Sequence, residues 1–252
     1  MSLLASLRKE LIEQWRTYRF LVLLIVLAFF GITSPLLARY TPEILKLVPG
    51  GESLSAAIPT PTVMDAVAQY IKNISQFGIL LALLLSMGSI VQEKEKGTAA
   101  LMLVKPLRRG SFLWSKFIAL SLVFLASLLV AAFGAYDYTQ ILFQPVDLGN
   151  WLLMNLFLWV YMLVYVALTL LFSTLSRSQA AAAGLSFGIL ILLSVVGSFG
   201  RLGEYLPAQL ILWGGNLMAG VTTAYWPALG ISLVLILGSL GIAWAVFERQ
   251  EL

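Results

Sequence analysis

The charged side chains of this sequence are concentrated in one short stretch. Residues 92–110 read QEKEKGTAALMLVKPLRRG and hold seven of the chain's 28 charged residues, between two long apolar runs. Gly97 permits a sharp turn, Thr98 can cap a helix that begins at Ala99, and Pro106 ends that helix. We therefore expect about two helical turns with an apolar middle, a surface that suits contact with another protein. The alternative is an ordinary basic loop.

Little other chemistry is open to the chain. It contains no Cys and no His, which excludes thiol nucleophiles, imidazole acid–base catalysis and disulfides. It also lacks the Gly-x-x-x-x-Gly-Lys-Ser/Thr loop that binds nucleotide phosphates. We expect no catalytic residue, no metal site, no bound cofactor and no nucleic-acid partner. Any work against a gradient must draw its energy from another polypeptide.

The composition predicts an all-α integral membrane protein. The 252 residues are 60% hydrophobic and 11% charged, with a mean hydropathy of +0.93, whereas soluble domains carry roughly a quarter charged residues. Runs of about 18 or more apolar residues are long enough to cross the bilayer as helices. We predict one transmembrane domain over 1–252 with six spans, namely Phe20–Ala38, Asn73–Val91, Phe112–Phe133, Trp151–Leu175, Gln179–Phe199 and Trp226–Phe247. The connection Arg39–Lys72 between the first two spans is rich in Pro, including Pro42, and Thr62 with Asp65 predicts a helix start within it.

Basic residues predict the orientation of these spans. With a cytoplasmic N-terminus, the inner segments hold twelve Lys and Arg and the outer segments hold four, as the positive-inside rule requires. Lys116, near the start of the third span, is counted with the inner segments, and we expect the span cores to carry no charge, which disfavours an ion-coupled carrier. Polar residues within the spans are interpreted as helix–helix hydrogen-bonding groups: Gln76, Ser86, Asn155 and Thr169.

Two segments outside the spans are also apolar. Residues 1–19 form an amphipathic helix expected in the membrane interface, without a small-x-small cleavage pattern before Arg39 that would mark a secretory signal. Residues 203–225 are apolar but broken by Pro207 and by Gly214-Gly215, so we expect a re-entrant segment on the outer side. A seventh span there is the alternative. The face of the first helix is formed by Leu4, Leu7, Leu11, Trp15 and Tyr18.

The stretch EKEKGTAALMLVKPLRRGSFLWSKF resembles the loop between the second and third spans of type-2 ABC exporter permeases. In that family a Glu-rich start, a Gly-Thr, a Pro-x-Arg turn and a following Lys surround a short cytoplasmic coupling helix. The N-terminal RKELIEQWRTYRF is similar to the family's elbow helix, and FERQEL is similar to its ending. The second Arg after Pro106 departs from the pattern, so which Arg matters stays open.

The resemblance implies a half-transporter. Two permeases, identical or different, would form an export pathway in the plasma membrane, and each would engage a separate ATP-binding subunit that holds ATP and Mg²⁺. A non-transporting membrane scaffold or sensor that works with an ATPase is the alternative. The uncharged interior favours lipophilic cargo. The implied coupling residues are Glu93, Gly97, Thr98, Leu101, Val104, Pro106, Arg108, Arg109 and Lys116, and the implied dimer-packing residues are Ala180, Gly184 and Gly188, unless these three pack within one subunit.

Overall fold

In a computed structural model, residues 3–47, 49, 59–95 and 109–250 are described. Within them the fold is entirely helical. Six of the helices are long and apolar enough to cross a membrane: α2, α3 together with α4, α5, α6, α7 and α10. The elements in order are α1 (Leu3–Arg16), α2 (Arg19–Lys46), α3 (Val63–Met87), α4 (Val91–Glu95), α5 (Arg109–Leu142), α6 (Leu148–Leu175), α7 (Gln179–Gly197), α8 (Gly200–Gly203), α9 (Ala208–Met218) and α10 (Trp226–Arg249).

Helix α6 is the centre of the bundle. It packs against α3, α5, α7, α9 and α10, and its side chains are buried around most of its circumference. A helix that is apolar on all sides suits such a position. By contrast, α7 has only Ala182 and Ser186 buried. Ile189, Leu190 and Leu193 pack partly against the core, and much of the remaining surface of α7 is open to lipid or to another protein.

The connection between α2 and α3 is shorter than the sequence suggested. We expected a Pro-rich connection from Arg39 to Lys72, but α2 continues to Lys46 with Pro35 and Pro42 inside it, and α3 begins at Val63. A proline is tolerated in a membrane helix where other groups satisfy the backbone atoms that it frees. The carbonyls freed by Pro35 and Pro42 are those of Gly31 and Ala38, whereas the hydroxyls of Ser34 and Thr41 donate one position earlier, to Phe30 and Leu37.

The start of α3 was predicted correctly. The backbone amide of Thr62 donates to Oδ2 of Asp65 over 2.7 Å, and the Thr62 hydroxyl donates to the same oxygen over 2.7 Å. A Thr followed three residues later by an acidic residue predicts such a helix start. The helix therefore begins where its sequence signal lies.

Residues 203–225 do not form a seventh span. Helix α9 has 11 residues, about 16 Å of helix, which is too short for a hydrocarbon core of about 30 Å. It packs on α6, where Trp213 stacks on Phe157 with ring centroids 4.4 Å apart. A Cβ on Gly214 would lie 2.9 Å from Met154 Cγ, so the close approach requires glycine. The re-entrant position stays a prediction.

Candidate functional site: an ion-pair cluster where the helix ends meet

Several helix ends meet at one end of the bundle, here called the terminal end. It contains α1, α4, the first turns of α5, the last turn of α6, the start of α7 and Gln250. The 5-residue helix α4 lies among them, and three of its consecutive side chains reach different partners. Helix α4 directly precedes the predicted coupling segment in the chain, and α5 follows it.

Lys116 is the most deeply buried charged residue of the terminal end. Its side chain is 2% exposed, and its Nζ lies 3.1 Å from Glu10 Oε2 and 2.8 Å from Glu93 Oε1. Removing these charges from water is costly, and only close pairing offsets that cost. Lys116 therefore ties three elements together: α5 through its own backbone, α1 through Glu10 and α4 through Glu93.

Lys9 extends the ion-pair cluster toward solvent. Its Nζ lies 3.1 Å from Glu10, 3.3 Å from Glu13 and 3.3 Å from Glu93. Burial alone would lower the pKa of Lys9, but the three carboxylates outweigh it and raise the pKa above the usual lysine value. For Glu13, burial would raise the pKa, while Lys116 and Lys9 reverse the direction and hold it below the usual range. Lys9 and Glu13 are thus both charged at neutral pH.

The carboxylates of the ion-pair cluster are spaced as metal ligands could be, but lysine ammonium groups lie among them. Carboxylate oxygens of Glu10, Glu13 and Glu93 lie within 4.8 Å of one another, a spacing that a cation could bridge. Two lysine ammonium groups already lie among these oxygens. The geometry therefore describes a structural ion-pair network.

Helix α1 turns its polar side toward the protein. Ser6, Glu10 and Gln14, spaced four residues apart, are buried, and the Ser6 hydroxyl lies 2.8 Å from that of Ser115 on α5. Large apolar side chains face away from the bundle instead, with Leu4 at 74% and Trp15 at 68% exposure. This arrangement suits a helix whose outer side contacts lipid.

Helix α4 is held by α6 and α7 as well. Ser173 Oγ accepts hydrogen bonds from the backbone amides of Ile90 and Val91, each over 3.1 Å. Lys94 Nζ donates to the carbonyl of Thr174 over 2.6 Å. A cation is stabilised at this place, because the carboxyl end of α6 carries partial negative charge. Gln92 and Gln179 complete the set with a side-chain hydrogen bond of 2.7 Å.

The structure brings two of the predicted coupling residues together, Glu93 and Lys116. Most of the others lie outside the described residues: Gly97, Thr98, Leu101, Val104, Pro106, Arg108 and the side chain of Arg109. Gly184 and Gly188 lie on the open side of α7, where an added Cβ would meet nothing within 4 Å. Within the described part of the chain these two glycines, grouped with Ala180 in the sequence, have open space beside them, and their role in dimer packing stays a prediction.

Sequence reasoning missed Glu10, Lys9 and Ser173. A signal for Glu10 was present, because Ser6, Glu10 and Gln14 repeat every four residues on the side of α1 opposite Leu4 and Trp15. The partnership with Lys116, 106 positions later, had no local signal. Ser173 was one of several hydroxyl residues near the end of an apolar run, and the sequence did not distinguish it from the others.

A cavity of about 690 Å³ lies between α3, α6, α7 and α9. Its polar lining consists of uncharged groups, among them Gln76, Tyr161, Tyr165 and Ser194, and the rest is mainly apolar side chains such as Phe187. None of the described lining residues is Lys, Arg, Asp or Glu. Such a lining suits a molecule that is largely apolar and carries groups able to form hydrogen bonds.

The six apolar helices define a multi-pass helical membrane protein. The chain belongs to the ABC-2 family of transporter proteins, whose model matches residues 4–203. The matched region runs from α1 to α8 and includes all five residues of the ion-pair cluster. The resemblance noted from the loop sequence is thereby confirmed over most of the chain.

The chain is similar to two curated proteins. The chain is 28% identical over 215 residues to the uncharacterized transmembrane protein YxlG of Bacillus subtilis, covering 82% of this chain and 81% of that protein. It is 32% identical over 121 residues to the probable ABC transporter permease protein NosY of Stutzerimonas stutzeri, covering 46% and 44%. The second match spans less than half of either chain.

Proposed function

We propose that this chain is the permease subunit of an ATP-driven exporter and forms its pathway together with a second permease. Separate ATP-binding subunits dock at the terminal end and hold the nucleotide and Mg²⁺. The observation that carries the proposal is membership of the ABC-2 family over residues 4–203 in a chain with no phosphate-binding loop of its own. The probable permease assignment of NosY supports the same function.

The terminal end faces the cytoplasm in this proposal. The segments that meet there or adjoin it carry twelve of the chain's sixteen Lys and Arg, and an excess of basic residues on short connections marks the cytoplasmic side. Both described chain ends, Leu3 and Gln250, then lie on that side of the cell membrane. An ATP-binding subunit, which needs cytoplasmic ATP, has access to the 92–110 segment.

Force enters through α4 and the residues that follow it. Closure of the ATP-binding subunits on ATP displaces the 96–108 segment, and the contacts of Gln92, Glu93 and Lys94 pass that displacement to the ends of the spans. The cavity between α3, α6 and α7 is the candidate pathway. Because its described lining is uncharged, we expect lipophilic cargo rather than multiply charged cargo.

The second permease packs on α7. Its Gly184 and Gly188 leave an open groove, and small residues allow close approach of membrane helices. Exposed apolar side chains such as Ile191 and Val195 lie on the same side of the helix. A copy of this chain or a related permease would cover this surface.

The proposal is tested by isolating the chain from membranes in mild detergent. We expect it to co-purify with an ATP-binding protein and to move a lipophilic fluorescent probe across proteoliposomes only with hydrolysable ATP. ATPase association without movement of any probe, with a partner protein remodelled instead, would favour the scaffold reading. Movement with no ATPase present would overturn both.

A further inference from the structure

We propose that Lys116 is a positioning residue that locks α1, α4 and the first turns of α5 into one rigid body. Displacement of the 96–108 segment then tilts α5 and shifts α1 together, instead of bending the connections between them. The transmission step rests on the proposed function. The rigid body itself rests only on the contacts of the described residues.

The burial of Lys116 supports this inference. Its side chain and that of Glu10 are 2% and 3% exposed, and Glu93 is 13% exposed. A buried ammonium with two carboxylate partners cannot exchange one of them for water without leaving a charge unpaired in a poorly solvated place. Separating these groups, and with them the three elements, would therefore cost more free energy than separating an exposed surface ion pair.

The second support is the polar contact of α1 with α5. The buried side of α1 is polar, formed by Ser6, Glu10 and Gln14, and the hydroxyls of Ser6 and Ser115 lie 2.8 Å apart. Apolar contacts of α1 lie elsewhere: Trp15 stacks on Phe20 of α2 with ring centroids 5.5 Å apart, and Leu11 packs on the apolar core. The contacts of Glu10 and Ser6 therefore supply the buried polar links between α1 and α5.

The third support is that α5 is a long continuous helix. It runs for 34 residues, about 50 Å, and its first turns carry both Ser115 and Lys116. A displacement of Glu93 on α4 acts directly on Lys116, at one end of this rod. The motion at the opposite end of α5, near Asp137, then reports whether the contact of Lys116 with Glu10 and Glu93 is intact.

The rigid body can be tested on the permease alone. The chain has no Cys, so Ser6→Cys with Ser115→Cys introduces one cysteine pair across the α1–α5 contact. We expect this pair to form a disulfide readily in lipid nanodiscs, and at least tenfold more slowly after Lys116→Met. Arg8→Met, which removes an exposed cation of the same helix outside the ion-pair cluster, should change the rate less than twofold. Equal rates of disulfide formation in the Lys116→Met and Arg8→Met backgrounds would overturn the proposed rigid body.

The transmission step is tested in the complex with the co-purified ATP-binding subunit. A spin label on Asp137→Cys, at the far end of α5, should shift when the complex is trapped with ADP and vanadate. Lys116→Met should abolish that shift while retaining the subunit, and Lys116→Arg should restore it. An unchanged shift in Lys116→Met would overturn transmission. A merely structural role predicts loss of the complex rather than loss of the shift.

The disulfide also separates a rigid body from a moving contact. In the oxidised Ser6→Cys/Ser115→Cys complex, ATP hydrolysis should stay within twofold of the reduced complex. A more than tenfold fall on oxidation would show that α1 moves against α5 during the cycle and would overturn the proposal. If no ATP-binding subunit co-purifies with the wild-type chain, the proposed function fails. The rates of disulfide formation in nanodiscs still test the rigid body in that case.

Discussion

The hydroxyl of Ser173 on α6 accepts a hydrogen bond from the backbone amide of Ile90, at the break between α3 and α4. The next amide, that of Val91, donates to the same oxygen. Residues 88–90 form a turn between two helices, and a helix start leaves amides without intrahelical partners. One side chain from the central helix thus supplies the acceptor and fixes the direction in which the chain leaves α3.

We predict that Ser173→Ala destabilises α4 more than the bundle. Two buried amides lose their acceptor, which costs about 1–3 kcal/mol. Hydrogen exchange should therefore speed up at residues 89–95 while α6 keeps its protection. Ser198→Ala is the matched control, because Ser198 is exposed and its hydroxyl donates to the carbonyl of Ser194 in its own helix. Equal exchange in both variants would show that Ser173 does not anchor α4.

The buried hydroxyl of Tyr70 lies 2.5 Å from Asn155 Oδ1 and connects α3 to α6. Tyr70→Phe should lower the free energy of unfolding by about 1 kcal/mol, since interhelical hydrogen bonds in membranes average roughly 0.6 and reach about 1.7 kcal/mol. Denaturation in mixed micelles measures the change. Tyr40→Phe, at an exposed position, should change it by less than about 0.5 kcal/mol. The interpretation fails if the two variants are equally stable.

Gly31 lies where α2 crosses α5. A Cβ at this position would be 2.7 Å from the backbone oxygen of Ala131, and backbone cannot move aside as a flexible side chain can. Gly31→Ala should therefore destabilise the protein by about 1–3 kcal/mol, although alanine favours helix by about 1 kcal/mol. Gly241→Ala, with open space around its Cβ, should be neutral or stabilising. Thermal unfolding of both variants gives the comparison, and a stable Gly31→Ala would contradict the crossing.

The sequence predicted the number of spans well because continuous apolar runs are a local property. It also located the start of α3, since the contact of Thr62 with Asp65 spans three residues. It placed Pro42 outside the helix, because a proline usually ends a helix in water, whereas proline is tolerated inside membrane helices. Its prediction that Glu93 and Lys116 belong together came from a family resemblance. The third partner, Glu10, could be found only by folding α1 onto α5.

The predicted coupling segment can be tested although it lies outside the described residues. Gly97→Pro should leave membrane insertion intact and release or uncouple the ATP-binding subunit, because proline fixes φ and removes an amide where a sharp turn is expected. Gly97→Ala is the graded control, with a smaller loss. The measurement is the amount of ATP-binding subunit retained on affinity-purified permease. Full retention with unchanged hydrolysis in Gly97→Pro would count against a coupling helix at this place.

The open side of α7 gives the last prediction. Gly184→Leu should weaken the association of two permease copies at least tenfold, because a branched side chain prevents close helix approach. It should leave the stability of the single subunit unchanged, since a Cβ at Gly184 meets nothing within 4 Å.

Gly230→Leu on α10 is the matched control for this variant. Gly230 is an equally open helical glycine, but it lies on a helix to which no dimer contact is assigned. Subunit capture by differently tagged copies in nanodiscs measures the association of both variants. If Gly184→Leu and Gly230→Leu associate alike, the glycines of α7 face lipid, and a second permease must pack elsewhere on the bundle.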